Sequence, residues 1–490
     1  MKSKKKIIIV SITALLAAGS FVGGVTYALF KTNSQVNIAV TSGNIDVKAS
    51  VVDGLTLTHQ EWDSTTSSYV EKDGFYNGEA TLDEAKHTLS LSKMLPMDKV
   101  SFKIKITNNS NVTVKYRTVV KTLEDTGLFE GLKVTIDDEE FDGIEARSDY
   151  STWSETGERI INVSIEIPED TIVDYSSKSC TVSYLVDAVQ GNARAEKYDV
   201  VYPLGVNKST FPDGKPIVYE NSDGVATYVE DVPTAVNAGA SVIYAQEDST
   251  IADGTTLSRT NDIQGDFTIY GNRANFNHTE LALNQSNKFS YNVNLMVYNA
   301  KNIFIWGCSP LESGYTYNLS MYGCSNNYGE SAISTAGRMI YVAGTTGTVN
   351  ETLVDSTFEN GDLAMYSKAD GKYTIKNCAF SNSVTPIKFS HKSTGTAYVN
   401  ITNTTFNKCG YSEDMGTYAD SGDAAAIKLK SNSSMVVKFK NVAITNMVGS
   451  AKAIWLNLDN NSKNNSITGS ATNVTVEGDE WTFPTTTPVE

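Results

Sequence analysis

Histidine is scarce in this chain of 490 residues: there are four, His59, His87, His278 and His391, all far apart. A zinc protease needs two histidines on one helical face with a glutamate base, as in H-E-x-x-H, and this sequence cannot supply them. Cysteine is nearly as rare. The five residues Cys180, Cys308, Cys324, Cys378 and Cys409 show no C-x-x-C spacing, which removes a clustered zinc site, and an odd number cannot all pair within one chain. Cys378 and Cys409 read as small hydrophobes at turns or in the core, with a disulfide between neighbouring repeats left open. A Walker loop, a G-x-S-x-G elbow and a G-x-G-x-x-G after a strand are all missing. Charged residues make up only 20% of the chain, and 40 Lys plus Arg stand against 56 Asp plus Glu, a net charge of -16. That balance excludes duplex nucleic acid as a main partner.

What is present is apolar and β-prone. Hydrophobic residues are 40% of the chain, with 35 Gly and 25 Tyr, which excludes collagen and disorder throughout and favours a β-rich polar protein over a helical one. The length exceeds one compact core and implies two or more domains. At the amino terminus Lys2, Lys4, Lys5 and Lys6 precede an apolar stretch from Ile7 to Ala18, the pattern of a secretory signal. The stretch is interrupted by Gly19, Ser20, Gly23 and Gly24 and is short for a spanning helix, so cleavage is favoured over an uncleaved anchor. The cut is placed after Thr26-Tyr27-Ala28. It makes residues 1–28 the signal and Leu29 the first mature residue, with no membrane span after processing and a secreted, extracellular or cell-surface location.

From Leu29 to Ala193 apolar and polar residues alternate in short bursts. Phe102, Ile104 and Ile106 share a face; so do Val112, Val114 and Tyr116, then Ile161, Val163, Ile165 and Ile167, then Val182, Tyr184 and Val186. Period-two runs separated by turn-rich pieces such as Asn108-Asn109-Ser110-Asn111 predict antiparallel strands with one wet face, and a β-sandwich over 29–193.

Four pieces of this half also carry a resemblance. GGVTYALFKTNSQVNIAVTSGNIDVKAS resembles the export signal and first strand of the TasA/camelysin-like proteins, which are processed by a dedicated signal peptidase. LPMDKVSFKIKITNNSNVTVKYR, Trp153 ahead of INVSIEIPED, and VSYLVDAVQGNA are similar to the body of that family, in the family's order. The resemblance implies a secreted jelly-roll-like domain of biofilm-matrix fibres and surface proteins. In fibre-forming members the strand after the cleavage site completes the sheet of the next subunit. Carried over, residues 29–47 would be a donor strand and the chain its own partner, by β-augmentation. The competing expectation is that this strand pairs within its own domain. The metalloprotease activity attached to the camelysin label is not carried over, for want of histidines.

Between Arg194 and Ser222 the periodicity fades and Pro203, Gly205, Pro212, Gly214 and Pro216 mark a linker, 194–222. The second half has another rhythm. Residues 239–244 and the piece from Gly265 to Asn272 resemble the opening coil of pectate-lyase-like right-handed β-helices. Then a repeat aligns Asp355, Asn377, Asn403 and Asn441 in one column and Phe358, Phe380, Phe406 and Ile444 in another. A further register runs through Met365, Ile387, Ile427 and Ile454, and both registers place extra residues between Gly410 and Asp423. The spacings suit coils of a parallel β-helix over 223–482, followed by a tail, 483–490. Asn at a turn tolerates left-handed backbone, and its amide can bond the identical amide one coil away, so Asn377, Asn403 and Asn441 are assigned to a structural ladder. The Phe column would stack inside, and the end coils need caps.

Lyases of the β-helix class hold Ca2+ in a carboxylate cluster and use a basic residue to take a proton, whereas hydrolases use two carboxylates. The resemblance therefore points to Glu413, Asp414, Asp420 and Asp423 in the inserted loop as Ca2+ ligands. Lys388, Asp414, Asp420 and Asp423 are the catalytic candidates, with His391 and Lys392 beside Lys388. Acidic residues in a loop of an acidic protein are ordinarily just solvated, and the run Asp137-Asp138-Glu139-Glu140 is read the same way. Tyr315, Tyr317, Tyr322 and Tyr328, near Asn326 and Asn327, are a candidate sugar-stacking surface. The favoured reading is a noncatalytic secreted protein of a bacterial surface or biofilm matrix. Its sandwich would serve assembly and its β-helix glycan contact, with no cofactor unless Ca2+. The alternative is an extracellular polysaccharide lyase or glycoside hydrolase.

Overall fold

The computed structural model describes residues 35–484 apart from short internal stretches, of which 199–205, 252–259, 284–290, 411–423 and 459–465 are the longest. The cleavage pair Ala28 and Leu29, the loop carboxylates Glu413, Asp414, Asp420 and Asp423, and Cys308 lie outside the described residues. The chain is almost wholly β and divides into two units, 1–197 with 201–209, and 198–200 with 210–490.

The first unit holds two antiparallel sheets. One runs, in spatial order, through Gln35–Val40, Gly43–Asp63, Asp98–Asn108, Gly157–Glu166, Lys133–Ile136 and Glu139–Asp142. The other runs through Glu145–Arg147, Val114–Asp125, Ser179–Gln190, Thr88–Ser92 and Glu79–Asp83. Strict alternation sends Val100, Phe102, Ile104 and Ile106 inward from one sheet, to meet Val114, Tyr116, Val182 and Tyr184 from the other in a single apolar core. Trp153 is buried there, with its ring 5.6 Å from that of Tyr116. Of residues 29–47, Gln35–Val40 pairs within the chain, antiparallel to the start of Gly43–Asp63, and forms the edge of its sheet.

The second unit starts earlier than the fading periodicity suggested. Ile217–Glu220 is already a strand, antiparallel to Ala226–Val229 and to Val242–Ala245; four residues between Pro216 and a turn are too short a pattern to read. A short helix, Val232–Asn237, follows, its first turn capped by the Asp231 side chain, which accepts from the Thr234 N–H at 2.8 Å. Thereafter nearly all pairing is parallel and skips along the chain, in three families. The first runs from Val242–Ala245 and Gly265–Tyr270 through Thr348–Val354 and Gly371–Lys376 to the start of Ser466–Val476. The second comprises Ser325–Asn327, Thr357–Glu359, Ala379–Ser381 and the later parts of Thr396–Asn407 and Ser434–Thr445. The third runs from Asn275–Leu283 through Lys301–Gly307, Ser334–Val342, Gly361–Ser367, Ile387–His391 and Ala425–Ser431 to Lys452–Leu458.

The aligned columns are pairing partners. Phe358 pairs with Phe380, Phe380 with Phe406 and Phe406 with Ile444, all buried, and the rings of Phe380 and Phe406 stack 5.0 Å apart. Met365, Ile387, Ile427 and Ile454 pair in the same way. At the turns Asp355, Asn377, Asn403, Asn441 and Asn473 have φ between 49° and 53°. Their amides bond in series: Asn377 Nδ2 donates to Asp355 Oδ1 at 2.9 Å, Asn403 to Asn377 at 3.1 Å, Asn441 to Asn403 at 2.8 Å and Asn473 to Asn441 at 2.9 Å. The next position carries a buried donor to the carbonyl two residues back: Ser356 Oγ at 2.7 Å, Cys378 Sγ at 3.2 Å and Thr404 Oγ1 at 2.8 Å. Cys324, Cys378 and Cys409 are buried free thiols, so none of these three closes a disulfide, and Cys180 is buried in the first unit. At the far end Asp479–Glu480 turns back antiparallel on Ser466–Val476, and Trp481 packs 5.8 Å from Phe439, covering the last apolar layer.

Candidate functional site

In the third family the residue after each inward Met or Ile points the other way, because side chains alternate along a strand. Register makes these a continuous row: Trp306 pairs with Tyr341, Tyr341 with Tyr366, Tyr366 with Lys388, Lys388 with Lys428, and Lys428 with Trp455. Neighbouring strands lie about 4.8 Å apart, which sets the spacing of the row. Trp306, Tyr341 and Lys388 are half-buried; Tyr366, Lys428 and Trp455 are buried.

The row is held by rings and cations. Tyr341 and Tyr366 stack 4.7 Å apart, the Arg338 guanidinium lies 4.1 Å over Tyr341, and the Lys428 and Lys452 ammonium groups lie 3.9 and 4.1 Å over Trp455. Asp362 sits beside it on the strand Gly361–Ser367. Burial pushes its carboxyl above the ordinary aspartate value, against the pull of Lys388 and Arg338. The arrangement can present aromatic side chains, donate charge-assisted hydrogen bonds from Arg338 and Lys388, and set beside them a carboxyl whose pKa is raised by burial.

Of the residues singled out in the sequence, Lys388 is in this row. Lys392 is exposed at the following turn. His391 is buried: its Nδ1 lies 3.0 Å from Ser431 Oγ and its Nε2 2.7 Å from Asp370 Oδ1, while Ser393 Oγ donates to Asp370 Oδ2 at 2.7 Å. The contacts mimic a Ser-His-Asp triad, yet Ser431 is 0% exposed, so no acyl group can reach it. Gly395 makes room for this network, since a Cβ there would lie 2.5 Å from Asp370 Oδ2. The tyrosine surface is corrected at three of its four tyrosines, while Tyr315 is half-buried. Tyr317 is a core residue, Tyr322 stacks 5.1 Å from Tyr298 in a buried column, and Tyr328 bonds the Arg338 carbonyl at 2.6 Å from an enclosed position.

Tyr341, Tyr366, Trp455 and Asp362 went unread in the sequence, although Tyr366 and Trp455 directly follow the aligned Met365 and Ile454, and Tyr341 follows Ile340, which pairs with Met365. No group of three or more His, Cys, Asp and Glu side chains able to hold a metal occurs among the described residues.

No family model and no curated protein matches the chain. Among solved structures it is weakly similar to the Agl-KA catalytic domain, with 12% identity, 91% of this chain and 88% of that one covered, and a TM-score of 0.18. It is also weakly similar to the catalytic unit of a thermostable GH87 alpha-1,3-glucanase from Streptomyces thermodiastaticus, with 10% identity, 89% and 99% coverage and a TM-score of 0.17. Scores this low carry no inference about fold or activity.

Proposed function

We propose that the chain is a secreted, noncatalytic protein of a bacterial cell surface or biofilm matrix. In this reading the first unit is a jelly-roll-like β-sandwich used for assembly. The second is a right-handed parallel β-helix that contacts glycan through the row from Trp306 to Lys388. The row itself carries the reading. The half-buried Trp306 and Tyr341 can meet sugar C–H groups, Arg338 and Lys388 offer donors beside them, and successive strands of one sheet hold all of them in line. Glycan-array binding tests it: Tyr341→Ala and Lys388→Ala should each weaken binding about tenfold. A blank array, or binding indifferent to both changes, overturns the proposal. The assembly role is tested by electron microscopy, where monomers unaffected by deleting residues 29–47 would remove it.

A second reading, a glycan-cleaving enzyme, is favoured by one observation, the largely buried carboxyl of Asp362 near Lys388, its pKa raised by burial. Incubation with uronic-acid and neutral polysaccharides in Ca2+, following ultraviolet absorbance and new reducing ends, decides it. Cleavage lost in Asp362→Asn or Lys388→Ala would replace the noncatalytic reading.

A further inference from the structure

The strand Gly43–Asp63 outruns its neighbour. Up to His59 it pairs with Asp98–Asn108, and from Thr58 onward it pairs with Ser68–Asp73. The residues from Gln60 to Tyr69 are exposed almost throughout, so this end is a two-stranded arm with both faces in solvent. The departure follows a break in register between Val52 and Thr56, where Asp53 and Gly54 take φ of 64° and 69°.

On the arm Trp62 and Tyr69 stand directly opposite each other, 5.3 Å between ring centroids and 76° between planes, 58% and 43% exposed. Two large rings left side by side in water on a marginal ribbon call for an occupant. Register assigns its charge. Two-residue alternation puts Gln60, Glu71 and Asp73 on the aromatic face, and Glu61, Asp63 and Lys72, the lysine of the arm, on the other. At the foot, the row of Trp62 and Gln60 continues through Thr58 and Thr56 into a groove of about 440 Å3 on the outer face of the sheet, lined by Ser101, Thr135 and Ser164 among others. Its lysines are already matched: Lys103 with Asp53 at 3.0 Å, Lys133 with Glu140 at 2.7 Å and Lys99 with Glu166 at 3.4 Å. Rings, hydroxyls and spare carboxylates on one face suit a polymer of sugar rings that carries cations.

We infer that the first unit binds a linear amino-sugar polymer bearing free amines, its pyranose rings stacked on Trp62 and Tyr69 and its ammonium groups paired with Glu71 and Asp73. This contact is separate from the lysine row of the second unit and has the opposite charge preference. An acidic glycan is repelled here.

Calorimetric titration of the full mature chain with a fully deacetylated glucosamine hexamer, and with its N-acetylated counterpart, tests the inference. The deacetylated oligomer should bind about tenfold more tightly than the acetylated one, and Trp62→Ala should remove about the same factor. Because Trp62→Ala also loosens the arm, the pair Glu71→Gln with Asp73→Asn keeps both rings. It should weaken binding several-fold and abolish its salt dependence. Tyr341→Ala and Lys388→Ala should leave this affinity unchanged, which separates it from the proposed function. Equal binding of the two oligomers, affinity unaltered by the carboxylate pair, or equally tight binding of an oligolysine of matched charge would each overturn it.

Discussion

Glu351 lies directly across a parallel ladder from Tyr373, fully buried, with both carboxyl oxygens lacking a hydrogen-bond partner among the described residues. Burial alone drives its pKa well above the ordinary glutamate value, which favours the neutral acid in the native state. In the unfolded chain the same group ionises near 4.5. The native state therefore holds the extra proton. That contribution is fully present below about pH 4.5 and is lost as pH rises toward the native pKa.

Glu351→Gln should therefore flatten the decline in melting temperature between pH 4.5 and pH 7.5. Glu351→Leu should stabilise the protein at pH 7.5 by about 1–3 kcal/mol, through removal of an unpaired buried polar group. Thermal unfolding at the two pH values checks both, and a wild type with a rising profile across this window would contradict the account.

The amide ladder predicts a graded series at Asn403. Asn403→Gly keeps the left-handed turn and loses two side-chain bonds, at a cost of about 1–2 kcal/mol. Asn403→Val adds the strain of a branched residue at positive φ and should cost about 1–2 kcal/mol more. Urea unfolding of the two variants reads the difference.

The thiols of Cys324, Cys378 and Cys409 are pushed up to about 12 by burial, and each bonds backbone carbonyls. They should resist a thiol-disulfide reagent at pH 8 in the native protein and react once it is denatured. Cys378→Ser should be tolerated, because Ser356 occupies the preceding place in the same column and makes the same bond.

His391→Ala should strip partners from buried Ser431 and from Asp370 and lower stability by about 1–3 kcal/mol. Glycan binding by the folded variant should not change, because the imidazole is shielded from the surface. A loss of binding at full stability would reassign His391 to the site.

The columns were legible because each repeat restates the same residue for the same reason: left-handed turns select Asn, and interior layers select Phe or Ile. The outward row was harder to see. Its members are Trp, Tyr, Tyr, Lys, Lys and Trp, so no single residue type marks it. Only register unites them, although the offset of one from Met365, Ile387, Ile427 and Ile454 was available to be counted. The tyrosine surface misled for the converse reason, since Tyr317, Leu319 and Met321 alternate inward and composition drew attention from spacing. His391 and Asp370 meet only across neighbouring repeats, as Trp62 and Tyr69 meet only across a hairpin. Pairing of that sort is decided by tertiary register, which a linear reading does not contain.

In the second unit the ladder, rather than the connecting loops, sets where each strand begins, and this gives the chain a discrete length grammar. Excising residues 379–404 would join Cys378 to Thr405, the residue that pairs with Ala379, and bring Ile427 onto Met365 in the place of Ile387. The shortened molecule is a well-formed one with a repeat fewer. A cut that removes one residue more or fewer from within a strand turns the inward side chains of that strand toward water until the next loop restores the register. Change in this half of the protein is therefore expected in whole repeats, or in loops that leave the count intact.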